Sequence, residues 1–214
     1  QDYLPPGWQR LHTSPFSQVA VQEASGIFFK FYFPRSPLSA LQNRLLGSPA
    51  QRSVNNNYAL TRAGFRTPET VYSGQIAGVG EFVFSRKIDG EPICLWLEKF
   101  SGKEQEHERK RMLLQSLGIA VGRLHSSGFV HGQLTSQNIL ASYTKDRFSI
   151  IFTNNENVVR KRAPSGRRLA QELRRLHLSL PRHTQKTDKL RLFKAWRRQM
   201  RHLQDVEANI LARE

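Results

Sequence analysis

The sequence predicts an α+β protein with a β-rich front and a mostly helical back, and two observations carry that reading. Up to about residue 88, aromatic and β-branched residues gather in short runs with a period of two, as strands with distinct faces require. After Pro92, apolar residues recur at three- and four-residue spacing, which lines them up along one side of a helix. The change of texture sets a boundary near Arg86 to Glu91. It divides the chain into an irregular N-terminal arm (1–17), a β-sheet lobe with one helix (18–87) and a helical lobe (88–214).

The elements follow in order. Pro5-Pro6-Gly7 marks the arm as irregular. Val19 and Val21 open a strand, Ser25-Gly26 turns the chain, and Ile27 to Phe33 forms a second strand. In that strand Phe28, Lys30 and Tyr32 share one face while Phe29, Phe31 and Phe33 share the other, and Pro34 and Pro37 end the run. Ala50 to Ala63 reads as a helix closed by Gly64. Glu69 to Tyr72 and Glu81 to Ile88 return to strand texture, with Asp89-Gly90 as the exit turn. Ser101-Gly102-Lys103-Glu104 fits a capping box that starts a helix running to about His125, stopped by Ser126-Ser127-Gly128. A polar loop follows to Asn138, then short strands Ile139 to Ser142 and Phe148 to Phe152. Two amphipathic helices, Gly166 to Leu180 and Asp188 to Leu211, close the chain on either side of Pro181.

Composition limits the function classes. An apolar share of 38% with 13 phenylalanines can build a core, which excludes a wholly disordered chain despite the charge. The balance of 33 Lys and Arg against 17 Asp and Glu gives +16, and it is unevenly placed. Residues 158–214 hold 16 basic and 5 acidic side chains, so most of the excess belongs to the last quarter. Cys94 is the single cysteine, which excludes an internal disulfide framework and a Cys-based zinc site. No apolar run approaches the roughly 20 residues needed to cross a bilayer. The expectation is a soluble protein of a reducing compartment.

The informative segment is Leu124-His125-Ser126-Ser127-Gly128-Phe129-Val130-His131-Gly132-Gln133-Leu134-Thr135-Ser136-Gln137-Asn138-Ile139-Leu140. A helix ending in Leu-His, a glycine turn and then His-Gly-x-Leu-x-x-x-Asn-Ile-Leu resembles the catalytic loop of the protein-kinase-like superfamily. Ile27 to Phe31 resembles the strand whose Lys reaches the nucleotide phosphates, and Gly64 to Glu69 looks like the turn after the first helix of small bacterial sugar kinases. Leu169 to Leu180 is similar to a C-terminal helix of the lipopolysaccharide core kinases of the Kdo/WaaP type. These matches are collinear from about Val19 to Trp196. The resemblance implies a two-lobed kinase-like architecture, with Lys30 at the phosphate-binding position, His131 as a structural loop residue and Asn138 at the position that binds the second magnesium.

Departures from the pattern matter as much. The place of the catalytic Asp is taken by Gln133. No Asp stands near Phe152, where the metal-binding carboxylate belongs, and no Glu occurs between Glu23 and Glu69 to pair with Lys30. The first hairpin, Gln22 to Gly26, has one Gly rather than a phosphate-cradling set. Gln is neutral and takes no proton at cellular pH. General-base help is worth about 10²–10⁴-fold, so its loss alone need not abolish activity. Loss of the metal carboxylate as well leaves a polyanionic nucleotide without a fixed cation. The resemblance with these losses predicts a pseudokinase related to the lipopolysaccharide core kinases, acting by binding or regulation at the cytoplasmic side of the inner membrane. The alternatives are a weakly active ATP-dependent core sugar kinase, with an alcohol group as phosphate acceptor, and a basic polyanion-binding protein. No cofactor is expected; ATP and magnesium belong to the kinase alternative.

Each candidate has a plainer reading. Lys30 also fits an edge-strand lysine that discourages sheet pairing, Asn138 a loop-to-strand cap, and Glu156 a solvated loop residue rather than a substitute metal ligand. Cys94 beside Leu95-Trp96 reads as a buried apolar residue. His107, His125 and His177 show no metal-ligand spacing, so no metal site is predicted. Arg167, Arg168, Arg174 and Arg175 fall on the polar face of one amphipathic helix with few acids nearby, which favours an anionic partner. The expected partners are an anionic membrane surface or a lipopolysaccharide precursor, together with an unidentified protein. Nucleic acid ranks last because the chain lacks a helix-turn-helix or RNA-binding signature.

Overall fold

Alternation in the Phe-rich run organises the front of the chain. The computed structural model describes residues 6–34, 47–162 and 164–200, and its contacts divide the protein into two units, Gln1–Ile88 and Asp89–Glu214. In the first unit, strands β1 (Gln9–Ser14), β2 (Ser17–Gln22), β3 (Ile27–Tyr32), β4 (Thr70–Ile76) and β5 (Gly80–Arg86) form one antiparallel sheet in the order β1-β2-β3-β5-β4. β3 is therefore central: Lys30 lies opposite Val19 on one side and Val83 on the other, so the edge-strand reading of Lys30 does not hold. Phe29 faces Phe84, and Phe31 faces Phe82. Their rings, with Trp8, build a continuous aromatic layer with centroids 5.0 Å apart for Phe29–Phe84 and 5.9 Å for Trp8–Phe29. Tyr32 and Val83 point to the opposite face, where they pack with Ala50 and Val54 of helix α1 (Pro49–Arg62).

The ends of α1 are set locally. Ser48 caps its start, its hydroxyl accepting from the Gln51 amide at 3.2 Å, with Pro49 at the first helical position. At the other end Gly64 takes φ +83°, while the Gly64 and Phe65 amides donate to the Thr61 and Leu60 carbonyls. This is a Schellman closure, and it buries Phe65 against the same turn.

The arm expected at 1–17 is not irregular throughout, because Gln9–Ser14 pairs with β2 as a strand. The Ser14 hydroxyl accepts from the Phe16 and Ser17 amides and closes the hairpin, a turn signal hidden behind the proline-rich start.

The second unit opens with β6 (Glu91–Pro92) and α2 (Ile93–Lys99), then a 3₁₀ turn and the long helix α3 (His107–Ser126). The capping box expected at Ser101 to Glu104 does not form, and the helix starts later. Ser101 donates to the Glu98 carbonyl and Gly102 has φ +70°, so this stretch terminates α2 instead of starting α3. β7 (Phe129–Val130), β8 (Ile139–Thr144) and β9 (Arg147–Phe152) follow, then β10 (Val159–Arg160), α4 (Gly166–Ser179) and α5 (Lys186–Gln199). β8 and β9 form a tight hairpin whose turn residues Lys145 and Asp146 both have positive φ. The end of the last predicted helix, 201–211, lies outside the described residues. A true capping box stands at the start of α5, between Gln185 and Asp188.

The core of this unit is the α3–α5 contact. Trp196 is fully buried, and a Cβ on Gly118 would collide with the Leu192 carbonyl oxygen. Gly122 is similarly tight against the Trp196 carbonyl, where a Cβ would stand at 2.7 Å. The two glycines let the helix backbones approach. Among the described residues no helix is long and apolar enough to cross a membrane.

Candidate functional site

The loop from His131 to Asn138 is suspended between two short strands and one buried carboxylate. β7 pairs with β10, which fixes where the loop begins. Gly128 at the entry is required by space, because a Cβ would collide with the Lys161 carbonyl oxygen. From there the chain runs through the fully buried His131. The His131 amide donates to Glu172 Oε2 at 2.6 Å and the Gly132 amide to Glu172 Oε1 at 2.8 Å. Both oxygens of one α4 carboxylate therefore hold adjacent loop amides. Gly132 has φ +82°, and a Cβ there would meet the Asn157 carbonyl at 2.6 Å.

Glu172 is 1% exposed and has a further neighbour. His125 Nε2 faces its Oε2 at 3.5 Å, and His125 Nδ1 accepts from the Trp196 indole at 3.0 Å. Burial works against the Glu172 charge, but the His125 ring and the His131 amide outweigh it and hold this carboxyl below the usual carboxylate range. Burial acts the opposite way on His131: it lowers the imidazole from its ordinary value despite the Glu172 and Glu156 charges, so the ring is neutral. His131 Nδ1 accepts from the Gln133 amide at 3.3 Å, which makes this histidine a brace for the loop. Sequence reasoning misses Glu172, because one acid in an Arg-rich amphipathic helix looks like part of a solvated face.

The Gln133 side chain is exposed and makes no hydrogen bond among the described residues. Its backbone is fixed, since Asn138 Nδ2 donates to the Gln133 carbonyl at 2.9 Å. Asn138 in turn receives Asn154 Nδ2 on its Oδ1 at 2.6 Å, and the Asn138 carbonyl accepts from both the amide and the hydroxyl of Thr153. Phe152, where the sequence sought a metal-binding Asp, is 1% exposed with its ring centroid 6.0 Å from that of His131. The residue that faces Asn138 is Asn154, held at φ 56°. Glu156 lies on the next turn, half-buried rather than solvated, and its charge reaches His131.

This donor set does not fit a magnesium ion. Magnesium takes hard oxygen ligands, in practice one or two carboxylates. Here the facing side chains are two neutral carboxamides bonded to each other. Among the described residues no group of three or more His, Cys, Asp or Glu is arranged to hold a metal.

In the first unit Lys30 shares its sheet face with Tyr32, its ammonium 4.9 Å from that ring's centre. Helix α1 brings no carboxylate to this face. Glu81, directly opposite Tyr32 on β5, does lie on it, and its Oε2 accepts from the Ala50 amide at the start of α1 at 3.3 Å. Nothing in the sequence pattern points to this contact, since it depends on strand register. Cys94 is half-buried rather than buried.

On α4, Arg167, Arg168 and Arg174 are exposed, and their side chains make no ion pair or hydrogen bond among the described residues. Arg175 differs, because its Nη1 donates to the Gly132 carbonyl at 2.5 Å and so belongs to the loop rather than to a free basic face.

Sequence comparison decides the family. The model of the lipopolysaccharide kinase (Kdo/WaaP) family matches residues 39–196, most of the chain. This protein belongs to the Kdo/WaaP lipopolysaccharide kinase family. Solved structures agree on the fold. WaaP in complex with acyl carrier protein superposes with a TM-score of 0.68 at 16% identity, covering 96% of this chain and 86% of that one. The bifunctional kinase-methyltransferase WbdD gives 0.56 at 14% identity, covering 96% of this Kdo/WaaP-family chain and 50% of WbdD. At such identities the likeness establishes a protein-kinase-like α+β fold. A curated relative, the EKC/KEOPS complex subunit bud32 of Aspergillus fumigatus, is 25% identical over 162 residues, covering 60% of this chain. The chain spans 58% of the length of that relative.

Proposed function

We propose that this member of the lipopolysaccharide kinase family is a pseudokinase that acts by binding, at the cytoplasmic face of the inner membrane. The observation that carries the reading is that Asn138, at the position the resemblance gives to a metal-binding Asn, is faced by a second neutral carboxamide, Asn154, while Phe152, where the resemblance calls for the metal-binding carboxylate, is a buried aromatic residue. Gln133 at the place of the proton-accepting Asp points the same way. Neither amide supplies the negative charge that fixes magnesium against phosphate, and Gln133 accepts no proton. What the loop retains is its framework: Glu172 fixes two amides, His131 braces a third, and Asn138 ties the Gln133 carbonyl. Such a framework holds the loop backbone in place without supplying a metal-binding carboxylate at Asn138. The free arginines of α4 support an anionic partner, an acidic membrane surface or the phosphates of a lipopolysaccharide precursor. The complex of WaaP with acyl carrier protein supports a protein partner as well.

A second reading, a weakly active core sugar kinase, is favoured by Lys30 on a central strand and by the intact spacing from His131 to Asn138. One experiment separates the two. Calorimetric titration of the protein with ATP, with and without magnesium, is run beside an assay of phosphate transfer to core lipopolysaccharide. The pseudokinase reading expects weak or absent ATP binding that magnesium does not improve, and no transfer. Micromolar, magnesium-dependent ATP affinity with transfer establishes the kinase instead.

A further inference from the structure

Helices α3 and α5 leave an open groove of about 480 Å³ along their solvent side, which neither the loop nor the α4 face uses. Four of its lining residues are cations: Arg111 from α3, and Arg191, Lys194 and Arg198 from α5. Among the described residues Glu108 is the one acid in the lining. Arg111 is engaged by Glu108 and Arg191 by Asp188, each at 3.2 Å. Lys194 and Arg198 are exposed, and among the described residues their side chains have neither an ion pair nor a hydrogen bond. They stand one helical turn apart, a spacing at which like charges repel. One turn before them, Leu190 is 50% exposed in the same groove, and the buried Ala195 lines it beside them.

Leu190, Lys194 and Arg198 thus form a strip along α5, about 12 Å long at 1.5 Å per residue. A compact phosphate group is served by donors converging on one point. These cations are instead strung out along a helix, with an apolar side chain at one end of the strip. That pattern is complementary to a helical segment carrying acids at one-turn spacing and an apolar residue beside them.

We propose that the α3–α5 groove docks an acidic amphipathic segment of a partner protein. Its carboxylates pair with Lys194 and Arg198, and its apolar side chain covers Leu190. The docking stands whether or not the His131–Asn138 loop is inert, because no residue is shared.

The test uses the full chain and a fluorescein-labelled helical peptide of about 16 residues built from Glu, Ala and Leu, followed by fluorescence anisotropy. Binding is expected at low salt and is expected to weaken steeply as salt rises. The double variant Lys194→Glu, Arg198→Glu should lose about tenfold or more in affinity while melting like the parent, since both side chains are solvent-facing. Leu190→Ala should weaken binding severalfold without changing its salt dependence. Replacing Arg167, Arg168 and Arg174 by Gln should leave peptide binding unchanged. The proposal is overturned if the peptide fails to bind at low salt or binds the double variant as well as the parent. It is also overturned if the α4 variant is the one that loses binding. If Leu190→Ala has no effect while tripolyphosphate or phosphatidylserine vesicles displace the peptide, the groove is a general anion site and the docking proposal is wrong.

Discussion

Asn154 donates its side-chain N–H to Asn138 Oδ1 at 2.6 Å, joining the turn after β9 to the residue before β8. The pair is neutral on both sides, and it uses one of the two oxygens that a cation would need. Asp also visits the left-handed backbone that position 154 adopts, although it loses the N–H that Asn138 Oδ1 accepts and sets two acceptor oxygens together, as a bound cation would require. Asn154→Asp should fold normally and gain a thermal shift of a few degrees with millimolar magnesium. The parent should show no magnesium-dependent shift, and such a shift in the parent refutes this account of the pair.

Gln133→Asp isolates the other departure. The side chain is exposed, and the surrounding backbone is held by Glu172, His131 and Asn138, so stability should change by no more than about 0.5 kcal/mol. Phosphate transfer should remain absent, because the carboxamide pair is untouched. Robust transfer by this single variant, measured with ATP and core lipopolysaccharide, shows that a metal site survives without a carboxylate at 154.

What the sequence discloses depends on how local the determinants are. The run from Ile27 to Phe33, the helix before Gly64 and the loop ending at Asn138 are legible because alternation, a positive-φ glycine and a spaced motif each act within a few residues. Helix α2 escapes a sequence reading because its seven residues are too few to display a helical period. Ser101-Gly102 reads as a beginning because its letters fit a cap, whereas the positive φ of Gly102 makes it an end. Glu172 and Glu81 are illegible for a different reason. Their importance comes from amides that are 40 and 31 residues away, which only the tertiary fold brings to them.

Glu172 should dominate the acid sensitivity of the second unit. Removing it strands two loop amides and the facing side of His125, so Glu172→Ala should cost about 3–5 kcal/mol, and Glu172→Gln less because one acceptor remains. Both His131 and Glu172 have folded-state values below their unfolded ones, so the unfolded chain binds more protons and stability falls as pH drops. The His131 contribution is complete above its unfolded value of about 6.5 and declines below it; the Glu172 contribution declines below about 4.3. Denaturant melts from neutral pH down to about pH 2.5 should therefore show two successive losses, one below about 6.5 and one below about 4.3, with Glu172→Gln abolishing the lower one. A flat profile through both ranges contradicts the assignment.

Gly118 tests the helix contact. Alanine raises helix propensity by about 1 kcal/mol, but its Cβ meets the Leu192 carbonyl oxygen and, at 2.7 Å, Ala195 Cβ. Backbone cannot swing aside as a flexible side chain can, so overpacking should win by about 1–3 kcal/mol. Gly118→Ala should melt several degrees lower than the parent. An unchanged or higher melting temperature means that α3 and α5 sit further apart than described.

The basic face of α4 can be tested without disturbing the loop only if one arginine is spared. Arg175 donates to the Gly132 carbonyl, so its removal would confound lost binding with a loosened loop. Arg167, Arg168 and Arg174 are exposed, and their side chains have no ion pair or hydrogen bond among the described residues. Each contributes on the order of 1 kcal/mol near an anionic membrane, so changing all three to Gln should reduce vesicle binding by about two orders of magnitude. The melting temperature should stay close to that of the parent, because none of the three supports a neighbour. Binding of the parent should also decline from low to high salt, since such contacts are screened over about 10 Å at 0.1 M ionic strength. Flotation with acidic-lipid vesicles at two salt concentrations measures both effects. If the parent ignores acidic vesicles even at low salt, the α4 arginines serve a phosphorylated lipopolysaccharide precursor or a protein rather than the membrane. The same vesicles with added core lipopolysaccharide then distinguish those two.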